Sequence, residues 1–556
     1  MRMRRRHGLL LAAAAVAVAV VICGGALLLG AVPGIGGAPT ALGAPRFVDE
    51  TSSSGLDHTY DGGATFSTGG GLAAFDCDGD GRPDLYLAGG ERPATLYHND
   101  SAVGGPLRFT AIHDPATDLT DVTGAYPIDI DGDGTVDLVV LRVGGNVVLR
   151  GLGGCRFERA NEAWGIDGGR GWGSAFSATW EDPNGLPTLA FGDYLALDAN
   201  GKPTGDCAPN VFVRPDASGR RYAVPIPLAP GYCTLSILFS DWDGSGRRDL
   251  RVTNDRHYYI DGSDQLWRVE SGKTPRVYTA ADGWVAMQIW GMGIAAYDVT
   301  RDGYPDYYLT SQGDSKLQAL AAGPAQPTYR DIALKRGVNA AAPATGGDIL
   351  PSTAWHPEFQ DVNNDGFMDL LVTKGNVDAI PDYASRDPSD LFLGQPDGTF
   401  AEGAEAAGIV DFARGRGAAL VDLNLDGLPD LVESFLGAPA KVWRNVGAGD
   451  ATKPVQMGHW LALRPSQSGG DRDAIGAWIE VKAGDTTTRR ELTIGGGHIS
   501  GELGWTHVGL GSATEAQVRV QWPDGQVGPW TTVAADCWYV LDRSSGSAQA
   551  WHPPAP

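Results

Sequence analysis

The stretch Asp76-Cys77-Asp78-Gly79-Asp80-Gly81-Arg82-Pro83-Asp84 places carboxylates at positions 1, 3, 5 and 9 of nine residues, with glycine at position 6. Four acids this close repel one another, and a hard cation at their centre removes the conflict. Oxygen-only donors in a carboxylate-rich loop favour Ca²⁺ over Zn²⁺ or Cu²⁺. The glycine lets the chain turn with φ > 0, so that the side chains point inward. Positions 1, 3, 5 and 9 then supply side-chain oxygens, and position 7 (here Arg82) a backbone carbonyl.

The pattern recurs six more times. The second loop carries Asp129, Asp131, Asp133 and Asp137, with Thr135 at position 7. The third is degenerate: Trp180, Asp182, Asn184 and Thr188 stand at the four ligand positions. The fourth offers Asp241, Asp243, Ser245 and Asp249, and the fifth Asp298, Thr300, Asp302 and Asp306. The sixth offers Asp361, Asn363, Asp365 and Asp369, and the seventh Asp422, Asn424, Asp426 and Asp430. Asp-Gly loops are also good hairpin turns. Six copies that keep an acid at position 9 exceed what a turn needs. An EF-hand would put Glu at position 12, where Leu87, Val140 and Val372 stand, and would have helical flanks. The expectation is about six Ca²⁺ sites. The first two loops, with four acids each, should bind tightest. The third, around Asp182, should be empty, with Trp180 packed in place of the first ligand.

These loops must be held by strands. Each follows a small or apolar run, such as Leu72-Ala73-Ala74-Phe75, and opens another, such as Asp369-Leu370-Leu371-Val372. The loops start 51 to 63 residues apart. That period suits a blade of four short strands, and seven units suit a closed seven-bladed β-propeller. A second phrase recurs, an aromatic strand leading to glycine plus an aliphatic residue, as in Phe157 to Gly165-Ile166 and Phe400 to Gly408-Ile409. Its earliest copy, Phe47 to Gly55-Leu56, precedes the first loop, and none follows the last. The N-terminal copy should therefore complete the seventh blade and leave no exposed edge. The Pro- and Arg-rich stretch from Asp198 to Gly231 reads as an excursion from the ring. Cys207 and Cys233 flank it and could close it in an oxidising compartment. The sequence assigns no partner to Cys77, Cys155 or Cys537, and no C-x-x-C pair is present.

Arg2, Arg4, Arg5 and Arg6 precede an uncharged apolar run ending near Val32. Residues 1–33 are expected to form an outward-sending membrane anchor, with a cleaved signal peptide as the competitor. Residues 34–44 read as a linker and 45–449 as the propeller. The bulk of the chain would then lie outside the cytoplasm, touching the membrane only through the N-terminal helix. The formal net charge of −24 disfavours a nucleic-acid binder. Twenty-one aspartates stand at ligand positions, so cations would offset much of that charge.

From Met457 the acidic loop no longer recurs. Short alternating runs with glycine turns suggest a small β-sandwich over 450–545, followed by a tail, 546–556. His459, His498 and His507 fall there, beside turns and strands. Gly495-Gly496-Gly497 opens no helix and makes a poor phosphate site.

The repeated loops resemble the FG-GAP/VCBS repeats of integrin α-subunit propellers and of many secreted bacterial proteins. The phrases Ala474-Ile475-Gly476-Ala477, Gly509-Leu510-Gly511 and Trp522-Pro523-Asp524-Gly525 resemble, in order, those of the ASPIC/UnbV domain. The combination is that of the cartilage-acidic-protein-like family. The resemblance implies calcium binding and an extracytoplasmic interaction role, with a protein or polysaccharide as ligand. No G-x-S-x-G, H-E-x-x-H or P-loop occurs, so the chain is expected not to be an enzyme. The enzymatic alternative is a calcium-dependent polysaccharide lyase. It would need a basic residue such as Arg247, Arg248 or Arg301 poised in a groove.

Overall fold

A computed structural model describes residues 40–255, 262–377 and 380–554. The expected anchor, 1–33, lies outside the described residues, as does most of the linker. Among the described residues no helix is long and apolar enough to cross a membrane.

The fold is all-β and propeller-like. Among the described residues, seven sheets follow one another along the chain, each with four antiparallel strands, and the first gains a fifth, parallel strand from the C-terminal part. Their inner strands are Leu72–Phe75, Val122–Ile128, Gly173–Thr179, Thr234–Ser240, Gly291–Tyr297, Ala354–Gln360 and Arg414–Val421. Each inner strand lies against the next, and the last lies against the first. The last sheet takes its outer strand from the N-terminus: Phe47–Asp49 pairs with Ala438–Asn445. This pairing ties the start of the propeller-like part to its last sheet and leaves only the short strand Phe47–Asp49 as that sheet's outer edge. The recurring phrase also has a structural basis. Single helical turns, Thr51–Ser54, Asn161–Trp164, Ala333–Arg336 and Ala404–Ala407, each end at a left-handed glycine. The aliphatic residue that follows is buried between sheets.

The stretch Asp198–Gly231 corrects the expectation of an excursion. Asn210–Val213 and Ile226–Leu228 are the two outer strands of the third sheet. Only the hairpin of Leu195–Leu197 and Pro203–Cys207 is added. The prolines are accommodated because Pro225, Pro227 and Pro209 fall beside or in an outer strand, where few ladder bonds are needed. A disulfide joins Cys207 to Cys233.

The C-terminal body has two four-stranded sheets. One is built on His459–Ser466, Thr506–Gly511, Cys537–Asp542 and Ser547–Trp551, the other on Trp478–Ala483, Thr486–Glu491, Glu515–Gln521 and Thr531–Ala534. Leu461, Ile479, Val508, Val518 and Leu541 share one core between them. The strand Ser547–Trp551 falls in the stretch expected to be a tail. It is held because Trp551 packs with Trp505 and Trp538.

This body is not a separate bead. Its segment from Ile494 to Leu503 runs through the middle of the ring. Gly501–Leu503 adds in parallel to Leu72–Phe75. Ile494, Gly495, Gly497 and Ser500 form bridges to Ala178, Leu238, Ile294 and Ala125 of four other inner strands. Backbone must approach backbone closely here. A Cβ on Gly71 would lie 1.7 Å from the Ile499 carbonyl oxygen. His498 is fully buried on the axis. Its Nε2 lies 2.8 Å from the Thr68 carbonyl, its Nδ1 3.2 Å from that of Met292, and its ring 4.9 Å from that of Trp355. The glycine triplet is therefore a route through a narrow channel.

Candidate metal centres

Six of the seven loops share one geometry. Position 6 is glycine with φ between 82° and 92°. Its N–H donates to a carboxylate oxygen of position 1, from Gly81 to Asp76 at 2.8 Å and likewise in the other five. Position 4 is also left-handed: Gly79, Gly132, Gly244, Arg301, Asn364 and Leu425. For the last three this costs about 1 kcal/mol each. The third loop has Pro183 at this position, whose ring fixes φ near −65°. It therefore turns differently, with Asp182 accepting from Gly185 N–H through its backbone carbonyl. Trp180 is buried, as its place in the pattern suggested.

The aspartate at position 9 opens the next strand and ties the hairpin. In the first, second, sixth and seventh loops one oxygen accepts the N–H of position 2 and the other an N–H on the third strand. Asp84 takes Cys77 and Asn99 in this way, each at 2.8 Å, and Asp369 takes Val362 and Gly394. The equivalent bonds are made by Asp137 and by Asp430. Position 9 is thus a strut as well as a candidate ligand.

The donors converge most clearly in the first two loops. Asp76, Asp78 and Asp84 can each bring an oxygen within 4.8 Å of the others, as can Asp129, Asp131 and Asp137. The same test adds His98 beside Asp78 and Asp80. That residue comes from the third strand, and nothing in the loop's spacing could have named it. Burial pushes Asp84 and Asp137 up to about 8, Asp129 and Asp306 up to about 7, and Asp241, Asp298 and Asp426 up to about 6. Burial, with neighbouring carboxylates adding to it, also pushes Asp361, Asp369, Asp422 and Asp430 well above the usual carboxylate range. Groups in this state are stabilised by a proton or a cation. Buried Asp129 Oδ1, Asp241 Oδ1 and Asn424 Oδ1 have no hydrogen-bond partner among the described residues. Hard-cation ligation would satisfy these oxygens, so the residues present fit such a group.

The loops differ in what already neutralises them. Arg82 Nη1 reaches Asp80, and His98 Nε2 lies 3.1 Å from Asp78. Arg150 lies 2.8 Å from Asp131 and 3.0 Å from Asp133. In the fourth loop Arg247, at position 7, turns its own guanidinium inward, 3.0 Å from Asp249 and 3.1 Å from Asp243. Among the described residues no such ion pair reaches the acids of the fifth, sixth or seventh loop. Asp361, Asp365 and Asp369 are 2%, 1% and 0% exposed. Thr300 Oγ1 donates to Asp306 at 3.3 Å. Leu42 N–H, from the expected linker, donates to Asp365 at 2.7 Å.

Cys77, at position 2 of the first loop, forms a disulfide with Cys155 of the second sheet. The sequence offered no sign of it, because the two are 78 residues apart and meet only once neighbouring sheets are packed. These sulfurs, near Asp84, are therefore not thiolate ligands.

All seven loops also touch the C-terminal body. Trp551 packs on Gly81, Arg472 on Gly134, and Trp460 on Gly427 and Leu425. Asp471 N–H donates to the Pro183 carbonyl, Arg248 to that of Pro523, and Arg489 to that of Gly303. His507 Nε2 meets Asn364 Oδ1 at 2.5 Å. The loops are a docking platform as well as candidate metal centres.

A model described as FG-GAP-like repeat matches residues 76–140, and one described as ASPIC and UnbV matches 467–548. Cartilage acidic protein 1 of Mus musculus is 26% identical over 235 residues, covering 38% of this chain and 33% of that protein. The Homo sapiens protein is 24% identical over 266 residues, covering 42% and 37%. The matches thus span about a third of the length of these relatives. Among solved structures, the extracellular domain of a putative hybrid two-component system from B. thetaiotaomicron gives a TM-score of 0.38 at 8% identity, covering 90% of this chain and 59% of that one. Trypanosoma rangeli sialidase gives 0.30 at 10% identity, covering 74% and 59%. Scores this low decide neither fold nor function. The chain joins FG-GAP-like repeats to an ASPIC and UnbV domain, the architecture of its cartilage acidic protein 1 relatives.

Proposed function

We propose that this chain is an extracytoplasmic, calcium-stabilised scaffold, a seven-bladed propeller of the integrin-α type that mediates protein or glycan interaction without catalysis. The observation that carries it is the shared geometry of six loops that gather buried carboxylates, with orphaned oxygens at Asp129 and Asp241. Ca²⁺ at these loops would hold the strands of each blade together and fix the platform under the C-terminal body. The third loop, bent by Pro183, takes no ion. The disulfides Cys77–Cys155 and Cys207–Cys233 suit an oxidising compartment. The N-terminal arginines and apolar run would send the chain there, as an anchor or a cleaved signal. The lyase alternative is weakened because Arg247 is spent on Asp243 and Asp249, and Arg248 on Pro523 and Trp180 carbonyls. Calorimetric titration of the EDTA-stripped chain tests the reading. Heat from several Ca²⁺ per chain is expected; none would reduce the loops to turns.

A further inference from the structure

Between the inner strands and the C-terminal body lies a cavity of about 190 Å³. Four buried polar atoms on its wall have no protein partner: Gln360 Oε1, Glu502 Oε1, Arg490 Nη1 and Trp505 Nε1. Two accept hydrogen bonds and two donate them. Gln360 is 4% exposed, and its Nε2 is tied to the Leu420 carbonyl at 3.2 Å, which leaves Oε1 on the cavity wall. Leaving such atoms bare costs about 1–3 kcal/mol each.

What fills the cavity must both donate and accept. A bare cation satisfies only the oxygens, and an inorganic anion only the N–H groups. The wall carries more carboxylates (Glu358, Asp473, Glu491, Glu502) than guanidiniums (Arg464, Arg490), which further disfavours an anion. Hydroxyl groups do both jobs. The volume equals about six waters, which is the room one sugar ring needs. Tyr126, Leu238 and Ile294 offer apolar surface for the carbon side of such a ring. Gly504, exposed on the wall, opens the cavity to solvent.

We propose that this cavity binds a small, neutral, polyhydroxylated molecule of monosaccharide size, held by Gln360, Glu502, Arg490 and Trp505. The site is built jointly by the ring and the C-terminal body, so neither half alone would bind. It deepens the interaction reading by naming a ligand class, and it rests on that reading only for the partner being a glycan. The acidic loops supply none of its four anchoring groups.

Saturation-transfer NMR on the full chain in saturating Ca²⁺ tests it, with glucose, galactose, mannose and fucose as neutral probes and methylammonium and acetate as ionic ones. At least one sugar should receive saturation. Trp505→Phe, which removes the N–H together with the five-membered ring but keeps an aromatic face, should weaken that sugar about tenfold, the loss of one hydrogen bond to a ligand. Gln360→Met, which removes an orphaned acceptor at similar bulk, should do the same. Melting temperature checks that each variant folds, and Trp505→Phe decides alone if Gln360→Met does not. The proposal falls if no sugar is saturated, if only the ionic probes bind, or if a folded Trp505→Phe binds the sugar unchanged. A crystal soaked in the sugars that holds only water in the cavity would also sink it. Calcium-dependent melting in the same samples separates the outcomes: if it persists without sugar binding, the scaffold stands and the cavity holds water.

Discussion

The fourth and sixth loops have the same length, the same φ pattern and almost the same ligand types, yet they solve the charge problem differently. In the fourth, Arg247 lies between Asp243 and Asp249 and neutralises them from within. In the sixth, Asp361, Asp365 and Asp369 are almost wholly buried, and among the described residues no basic side chain pairs with them. Their oxygens receive backbone N–H groups from Leu42, Asp365, Gly366, Phe367, Val362 and Gly394. A buried carboxylate without a counter-charge is strongly disfavoured. The sixth loop therefore has a charge that a proton or an outside cation would have to offset, whereas the fourth carries a guanidinium of its own. Counting acids ranks the first two loops as the tightest sites. Burial and compensation favour the sixth and seventh instead, since Arg82, His98 and Arg150 already serve the first two.

The largest test of this contrast is removal of the ion. Each site filled at a hundredfold excess over its Kd adds about 2.7 kcal/mol. Several such sites should raise the melting temperature clearly between EDTA and millimolar Ca²⁺. Asp361→Ala should remove more of that increment than Asp243→Ala. Equal losses would erase the distinction between compensated and uncompensated loops.

A second test concerns the first loop, which has a covalent support the sixth lacks. The Cys77–Cys155 disulfide closes a span of 78 residues, and the chain-entropy model assigns such a loop about 4 kcal/mol. Cys77→Ala with Cys155→Ala should lower stability by that order. The loss should be larger in EDTA than in Ca²⁺ if ion and disulfide hold the same loop. An identical loss in both conditions would mean that the two supports are independent.

A third test asks whether the ring's axis, which has no acidic loop of its own, is held without ions. Burial pushes His498 down to about 3, aided by Arg416 and His356, against the pull of two carbonyl contacts. A neutral ring has one N–H for these carbonyls, and the shorter contact assigns it to Nε2. The unfolded chain takes up this proton near pH 6.5. Stability is therefore lost as pH falls from about 6.5 towards about 3, by up to about 1.4 kcal/mol per pH unit. His498→Gln should flatten this part of the melting-temperature profile while leaving the calcium increment unchanged. A profile of unchanged slope would mean that His498 is charged in the folded chain.

The sequence was most legible where a local rule acts alone. Gly81 and Asp84 mark a turn and a strand start within nine residues, and the recurrence of that rule exposed the blades. The departure of the third loop from the shared geometry was legible through Trp180, although the stronger cause is Pro183, which cannot adopt the left-handed φ that position 4 takes in the other six. What stayed hidden depends on distant parts meeting. Cys77 and Cys155 need two packed sheets, and His98 needs its strand beside the first loop. The route of Ile494–Leu503 through the ring left only a trace, three glycines that open no helix. The room for that route comes from residues far away, Gly71 and Gly124, which a Cβ would drive into Ile499.

The finest cut between the two kinds of loop is Arg247→Gln. Without calcium it removes the cation shared by Asp243 and Asp249, although Asp249 keeps the N–H and O–H donors of Trp242, Tyr278 and Val269, so the stripped protein should lose about 1 kcal/mol, the upper end for a partly exposed ion pair. With calcium the same change removes a rival for those oxygens, so the ion should bind the fourth loop more tightly. The two effects have opposite signs, and together they widen the gap between melts in EDTA and in Ca²⁺. Asp361→Ala narrows that gap, because it removes a ligand from a loop that has no rival cation. A variant that lowers both melts equally would show the guanidinium acting as a surface ion pair only, and the fourth loop would then join the sixth.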